Sequence, residues 1–523
     1  MPSSAEANIL GLPLFIGITM ETEIELKFIV SPEFSSQLLN KITEAKILQQ
    51  SSRELGNIYF DTPDQLLRQH DIGLRIRRFD DVYVQTLKTA GRVVAGLHQR
   101  PEYNVEIDGD TPTLALHPAD AWPEGFDVDV AQQQIKPLFS TDFTRQQWLV
   151  AMPDGSQIEL AYDHGEVHTN GKSSPICEVE LELKSGQTDA LFTLARELCA
   201  DGGMRLGNLS KAARGYRLAA DYQGDTPKPL TLVATTEQDT VESTFIKTLE
   251  HALEHWLYHE QIYTESQDQQ ALVQISQSLS LLRQTFATFG GIIPRRASAL
   301  LRQELQWLEG ELAWLEDANS IQALTDDKSY VLRKLNVRKS LQQQLDARYE
   351  QLPDSEDMLR LMNSARYCGL LLDLSRWILS RGWQPFLDDK SRAKLAGAIK
   401  PFADNMLSRS WRELLDAFPA ERQLTRSDYL DQKPRLQRNL MCGLSFAELY
   451  DPEWRQAFRM PWFDLLQGIE DLYALEPIRQ LLPLFEGDDF VQIERWLQRQ
   501  NESLIHAMDQ TRKMSIELAP YWP

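Results

Sequence analysis

Cysteine, basic charge and long apolar runs are all in short supply in this chain, and each shortage excludes something. Four cysteines in 523 residues, at positions 177, 199, 368 and 442, form no C-x-x-C pair and no zinc spacing. Such sparse, scattered thiols fit a reducing compartment. No run approaches the roughly eighteen apolar residues a membrane helix requires. Lys and Arg number 54 against 76 Asp and Glu, for a net charge of −22. A general nucleic-acid or membrane-surface binder needs a basic face to release counterions, so neither partner is expected. Local basic clusters remain able to hold an anion. The expected location is cytoplasmic.

The rest of the composition is that of a soluble globular protein, 42% hydrophobic and 25% charged. Its length exceeds one ordinary core, so two or more domains are expected. Leu10 to Ile18 is a short apolar run, but no Lys or Arg precedes it and Pro13 interrupts it. No small-residue cleavage site follows, so a signal peptide is disfavoured. Residues 1–19 read as a disordered or upstream extension, with Met20 as the functional start.

One charged strand is written twice. Glu21 to Lys27 and Glu178 to Lys184 both read E-x-E-x-E-L-K. A strand sends alternate side chains to opposite faces. Each segment therefore sets three carboxylates and an ammonium on one face. Ile24, Leu26 and Phe28, or Val179, Leu181 and Leu183, occupy the other. Like charges at this spacing repel, whereas a solvated face usually mixes signs.

Period-two alternation continues to about Ala220, with strands expected at 21–30, 56–61, 73–78, 82–89, 99–107, 143–151, 156–163 and 176–184. Helical patterns interrupt near 32–48 and 188–202. Eight strands with few helices point to a closed or nearly closed antiparallel barrel. Gly224, Pro227 and Pro229 mark 221–240 as a linker. Beyond it the period becomes 3.6. Phe245, Ile246, Leu249, Leu253, Trp256 and Leu257 form one stripe, and Leu300, Leu301, Leu305, Leu308, Leu312 and Leu315 another. The C-terminal half, 241–523, is expected to be a helical bundle of eight or more helices, which makes the whole an α+β two-domain chain.

Most barrel strands carry charges on one side. Arg75 and Arg77 share a face, as do Thr86 and Lys88, Arg100, Glu102, Asn104 and Glu106, and Glu159, Ala161 and Asp163. Either these charges face water outside, or the barrel is inverted around a wet lumen with helices over its apolar exterior. A lumen mixing Arg and Lys with carboxylates suits a polyanion bound with divalent ions.

Glu23-x-Glu25-x-Lys27, Tyr59-Phe60-Asp61-Thr62, Leu74-Arg75-Ile76-Arg77-Arg78, Thr86-Leu87-Lys88, Arg100-Pro-Glu102, Glu178-x-Glu180-x-Glu182 and Ser210-Lys211 occur in the order of the CYTH superfamily, the triphosphate tunnel metalloenzymes. Over roughly 20–220 the chain resembles that family. The resemblance implies an eight-stranded antiparallel tunnel open at both ends and hydrolysis of inorganic triphosphate to pyrophosphate and phosphate with Mg²⁺ or Mn²⁺. Metal ligands would come from Glu23, Glu25, Glu178, Glu180 and Glu182. Lys27, Arg75, Arg77, Lys88, Arg100, Arg145, Lys211 and Arg214 would hold triphosphate or a short polyphosphate. Lys27, Lys88 and Glu102 would act in catalysis. Asn104 stands where relatives often have an acid. Rival readings are a class IV adenylate cyclase, a thiamine triphosphatase using Tyr59 or Tyr103 for stacking, and a non-catalytic polyphosphate scaffold.

The second half is similar to the CHAD domain, through Leu282-Arg283 with Phe286 and Phe289, Pro294-Arg295-Arg296, Leu301-Arg302, and Arg366-Tyr367 leading to Leu371-Leu372-Asp373-Leu374-Ser375-Arg376-Trp377. It departs where that family usually places His and Arg. Val273, Gln274, Ser276, Gln277, Ser280 and Leu281 stand there, Glu316-Asp317 replaces an Arg-Asp pair, and Asp431, Lys433, Arg435 and Arg438 remain of a second basic helix. Weak polyphosphate binding is expected from it. His251, His255 and His259 recur at i, i+4 and i+8, a spacing able to hold a metal. With no nearby Cys and no metalloprotease Glu, a solvated or interface stripe is the favoured reading.

Overall fold

Alternation along Glu21–Phe28 has a single consequence in three dimensions: charges line the inside of a closed barrel. The computed structural model describes residues 19–523 except 32, 43–45, 95, 327–331 and 333–334. The expected N-terminal extension, 1–19, lies outside the described residues apart from Thr19, which opens the first strand.

Ten strands form one antiparallel sheet: β1 (Thr19–Val30), β2 (Lys46–Asp61), β3 (Gly73–Phe79), β4 (Val82–Lys88), β5 (Arg92–Val94), β6 (Leu97–Ile107), β7 (Lys136–Ala151), β8 (Gln157–Thr169), β9 (Lys172–Ser185) and β10 (Met204–Leu206). The order is β10-β1-β9-β8-β7-β2-β3-β4-β6-β5, and a further β1–β6 pairing closes eight of them into a ring. Closure removes the sheet edges. Register aligns the two acidic repeats, with Glu25 opposite Glu182 and Lys27 opposite Glu180. On the other flank of β1, Glu21 faces Glu102, Glu23 faces Arg100 and Glu25 faces His98.

The apolar alternates lie outside, beneath covering segments. Five helices accompany the barrel: α1 (Phe34–Ile42), α2 (Leu66–Gln69), α3 (Val128–Gln134), α4 (Asp189–Leu198) and α5 (Lys211–Ala219). Leu26, Phe28, Val179 and Leu181 are fully buried, and α4 packs over β9. Leu74, Ile76, Leu87 and Tyr103 join Leu67, Leu114 and Ala131 in a second outer core. At one end the inward faces turn apolar. Leu55, Tyr59, Phe139, Phe143, Val167 and Ile176 cluster there with Tyr216. The helix α5 lies against β7, β8 and β9.

Three expectations need correction. The helix expected over 32–48 stops at Ile42, and β2 begins at Lys46, ten residues before the expected strand. Its first half is largely exposed and carries no clean alternation. The strand expected from 143 starts at Lys136. Leu300 is 78% exposed and leaves its stripe, while Leu301, Leu305 and Leu308 lie on the helix Ala299–Glu311, Leu312 falls in the break after it, and Leu315 lies on the next helix, Trp314–Thr325.

The chain forms two compact units: residues up to Gly224 with Leu361–Ser380, and Asp225–Arg360 with Arg381–Pro523. The helix Ala365–Leu379 thus belongs with the barrel, where it packs on α4. Asp189 accepts both donors of Arg376, and Arg196 faces Asp373. The second unit is helical, beginning with α6 (Val241–Ser266) and α7 (Gln269–Thr288). Of the α6 histidines, His255 and His259 are buried in its packing, as an interface stripe would be, and His251 is half-exposed. His259 is fully buried and accepts from the Lys228 backbone N–H at 3.2 Å, and His255 meets Gln274 at 3.2 Å.

Candidate active site

The lumen is a cavity of about 940 Å³ in which basic side chains outnumber acidic ones, despite the protein's acidic surface. Because every strand alternates, the inward residues form rings, and these rings divide into two electrostatic neighbourhoods.

In the first, anions and cations interlock. Arg145 grips Asp163 with two bonds of 2.7 and 2.6 Å and reaches Glu180 at 2.6 Å. Lys211, the first residue of α5, contacts Asp163 at 2.6 Å, Glu180 at 3.0 Å, and also Glu178. Ser210 caps α5 by accepting from the Ala213 N–H, which fixes where Lys211 departs. Lys27 bonds Glu180 at 2.6 Å. Burial would raise the Glu180 carboxyl, but Lys211, Lys27 and Arg145 hold it well below its usual range. Asp163 is likewise lowered against burial by Arg145 and Lys211. Asp163, Glu178 and Glu180 each offer an oxygen within 4.8 Å of the others. These charges are already balanced by cations.

In the second neighbourhood like charges crowd. Burial raises Glu182 to about 7, against Lys184 at 2.7 Å, with Glu23 and Glu159 adding repulsion. Glu23 is raised by burial too, with Lys88 opposing and Glu25 and Glu102 reinforcing. Glu25 has Lys27 at 3.8 Å. Lys88 bridges Glu23 and Glu102, the latter at 2.8 Å. Glu102 is pulled down by Lys88 and Arg75 in spite of burial. On the basic side, burial and then the Arg75 and Arg145 guanidiniums push Arg77 down to about 9. Arg77 donates to the neutral Asn57, at 2.9 Å.

Of the residues singled out in the sequence, Glu23, Glu25, Lys27, Arg75, Arg77, Lys88, Arg100, Glu102, Arg145, Glu180, Glu182 and Lys211 line this one cavity. Arg100 is half spent on Asp71, at 3.2 Å. Glu178 and Arg214 pair with each other and stand back from the lining. Arg53, Glu159, Lys184 and His98 also line the lumen and were missing from the expected site. The Glu159–Asp163 alternation was the available signal for Glu159, and the second E-x-E-x-E-L-K for Lys184. Of the two proposed stacking residues, Tyr103 lies in the outer core, and Tyr59 already stacks on Phe139 at 4.6 Å.

An inverted antiparallel barrel with carboxylates and cations facing inward defines the class. Residues 21–216 match the CYTH domain and residues 247–482 the CHAD domain. The chain joins a CYTH domain to a CHAD domain. An inorganic triphosphatase from Haemophilus influenzae is 40% identical over 206 residues, which are 38% of this chain and 56% of that relative; the match thus spans about half the relative's length. Among solved structures, the CHAD domain from the plant Ricinus communis is 18% identical, covering 57% of this chain and 99% of its own, with a TM-score of 0.44. A Hippeastrum protein described as an adenylyl cyclase with dominant triphosphatase activity is 20% identical, covering 37% and 95%, with a TM-score of 0.29.

Proposed function

We propose that the tunnel hydrolyses inorganic triphosphate to pyrophosphate and phosphate with the help of Mg²⁺ or Mn²⁺. The observation that carries this reading is the paired imbalance of the lumen. Crowded guanidiniums call for an anion beside Arg77, and crowded carboxylates call for a cation beside Glu182. A phosphate chain carrying a divalent ion relieves both. The triphosphatase relative supports the same reaction.

Glu23, Glu25, Glu178, Glu180 and Glu182 are the carboxylates we assign to a divalent cation; Glu178 and Glu180 converge with Asp163 to within 4.8 Å, and the ion would take the place of lysine and arginine contacts that now hold Glu23, Glu180 and Glu182. Hard carboxylate oxygens suit Mg²⁺ or Mn²⁺. A bound ion would neutralise substrate oxygens and acidify water. Arg75, Arg77, Arg145 and Lys211 hold the phosphate oxygens in this account, and Arg100 takes an outer position. Lys88, kept protonated by Glu102 and Glu23 in spite of burial, and Lys27, kept protonated by Glu180 and Glu25, stabilise charge on the transferred phosphoryl and the departing pyrophosphate. Glu102 orients Lys88 and Arg75. Phosphoryl transfer is mostly positioning plus electrostatics, so no further nucleophile is required. Arg214 supports Glu178 from behind.

Inorganic substrate is favoured over thiamine triphosphate or ATP because Tyr59 is occupied by Phe139 and Tyr103 faces away. Phosphate release from tripolyphosphate, ATP and thiamine triphosphate, each with Mg²⁺, Mn²⁺ or chelator, tests the reading. The helical half keeps Arg409, Arg435 and Arg438 around a smaller cavity of about 370 Å³, shared with Glu413 and Asp416. We assign it a positioning role and at most weak affinity for long polyphosphate.

A further inference from the structure

Asn57 and Thr141 are polar residues set inside an apolar patch. The inward neighbours of Asn57 on β2 are Leu55 and Tyr59, and those of Thr141 on β7 are Phe139 and Phe143, all of them members of one buried cluster. Asn57 is 1% exposed and Thr141 is fully buried. A buried amide costs stability unless its hydrogen bonds are made. An apolar pair of the same shape would carry no such requirement, so the polar pair calls for a role beyond packing.

Register shows where that role lies. Asn57 stands directly between Thr141 on β7 and Arg77 on β3. Its amide nitrogen donates to the Thr141 hydroxyl at 2.9 Å, and its amide oxygen accepts from Arg77 Nε at 2.9 Å. Chemistry dictates this orientation, because a guanidinium only donates and must meet the oxygen. The amide is thus held at both ends, and through Nε it sets the plane of the guanidinium. Arg77 lines the lumen, and engagement at Nε leaves its terminal N–H edge to meet a phosphate there.

The neutrality of the partner completes the argument. Arg145 is paired with Asp163 and Glu180, Arg100 with Asp71, and Arg75 more loosely with Glu102 at 3.9 Å. An aspartate at position 57 would fill the same space and grip Arg77 more strongly, but it would also discharge it. Asparagine orients the cation and leaves its charge for an incoming anion.

We infer that Asn57 is a positioning residue for triphosphate: it holds the Arg77 guanidinium in one plane as an undischarged cation whose terminal N–H edge grips a phosphate group bidentately. The inference rests on the triphosphate reading of the tunnel and adds a residue that itself touches no substrate.

Calorimetric titration of the full chain with tripolyphosphate in chelator, alongside steady-state rates in Mg²⁺, tests it. Asn57→Asp should bind tripolyphosphate about tenfold more weakly. KM should rise by a similar factor, with the smaller effect on kcat, and the urea midpoint should be no lower than that of the wild type. A merely structural role would give the opposite pairing, a lower midpoint with unchanged affinity. Asn57→Ala provides a second check that does not depend on how the aspartate variant folds. It should weaken binding in the wild-type background and have no further effect in Arg77→Ala, because Asn57 acts through Arg77. Wild-type affinity in the Asn57 variants, or equal weakening by Asn57→Ala with and without Arg77, would overturn the role of Asn57 and leave the triphosphate reading standing. A wild-type chain that neither binds nor hydrolyses tripolyphosphate would overturn that reading and this inference with it.

Discussion

Gly215 lies in the middle of α5, and replacing it with alanine sets two effects of known size against each other. Alanine is a better helix former by about 1 kcal/mol, so on propensity alone Gly215→Ala would stabilise the protein. A Cβ there would fall 2.5 Å from Phe139 Cζ and nearer still to Cδ2 and Cε2. Phe139 cannot swing away freely, because it stacks on Tyr59 at 4.6 Å and meets the Tyr216 ring edge-on at 5.3 Å. Overpacking of this kind costs about 1–3 kcal/mol, which outweighs the propensity gain at most of that range. The expected net loss is about 1 kcal/mol, read as a lower urea midpoint. The strain should also reach the site. Tyr59 lines the lumen, and α5 carries Lys211, whose contacts with Asp163 and Glu180 depend on the position of the helix. A displacement near 1 Å at a reacting centre can lower turnover about a hundredfold, so kcat/KM on tripolyphosphate should fall at least about tenfold. A variant as stable as the wild type and equally active would refute the packing argument.

Five further outcomes are expected. Glu25→Gln should abolish metal-dependent phosphate release while circular dichroism stays unchanged, and near-wild-type rates at saturating Mg²⁺ would exclude Glu25 as a ligand. Lys211→Met leaves Asp163 and Glu178 short of a cation in a fully buried setting and should destabilise by about 3–5 kcal/mol; Arg376→Ala removes a half-exposed pair with Asp189 and should lose less than about 1 kcal/mol in the same denaturation assay. His255 is depressed to about 4, first by burial and then by His259, so its contribution to stability is complete above its ordinary value of 6.5 and is lost as pH falls from there toward 4. The span corresponds to roughly 3 kcal/mol, and His255→Gln should flatten the acid limb of the denaturation profile. Isolated residues 241–523 should bind long polyphosphate weakly, and tight, salt-sensitive binding in a filter assay would contradict the reduced basic lining.

Legibility followed the physics of alternation. The repeated E-x-E-x-E-L-K fixes two strands and their faces, because only an inverted barrel buries Leu26 and Leu181 while keeping Glu25 and Glu180 together. Lys46–Arg53 escaped detection because the strand extends past its neighbours' cover and is exposed on both sides, which erases the pattern. The helix α5 escaped because Gly215 and two arginines mask its apolar face, although Ser210 was a readable cap. His98 comes to the lumen through its cross-strand register with Glu25, more than seventy positions away, and no local pattern carries that. Glu178 shares the alternation of Glu180 and Glu182, yet the packing of α5 closes over it, so periodicity alone could not separate lining from support.

Substrate choice and metal dependence together test the tunnel's triphosphatase activity most directly. Initial rates of phosphate release by the full chain should give the highest kcat/KM on tripolyphosphate, fall to background with chelator, and recover when Mg²⁺ or Mn²⁺ is restored. Equal or better turnover of ATP or thiamine triphosphate, or undiminished release in chelator, would contradict it.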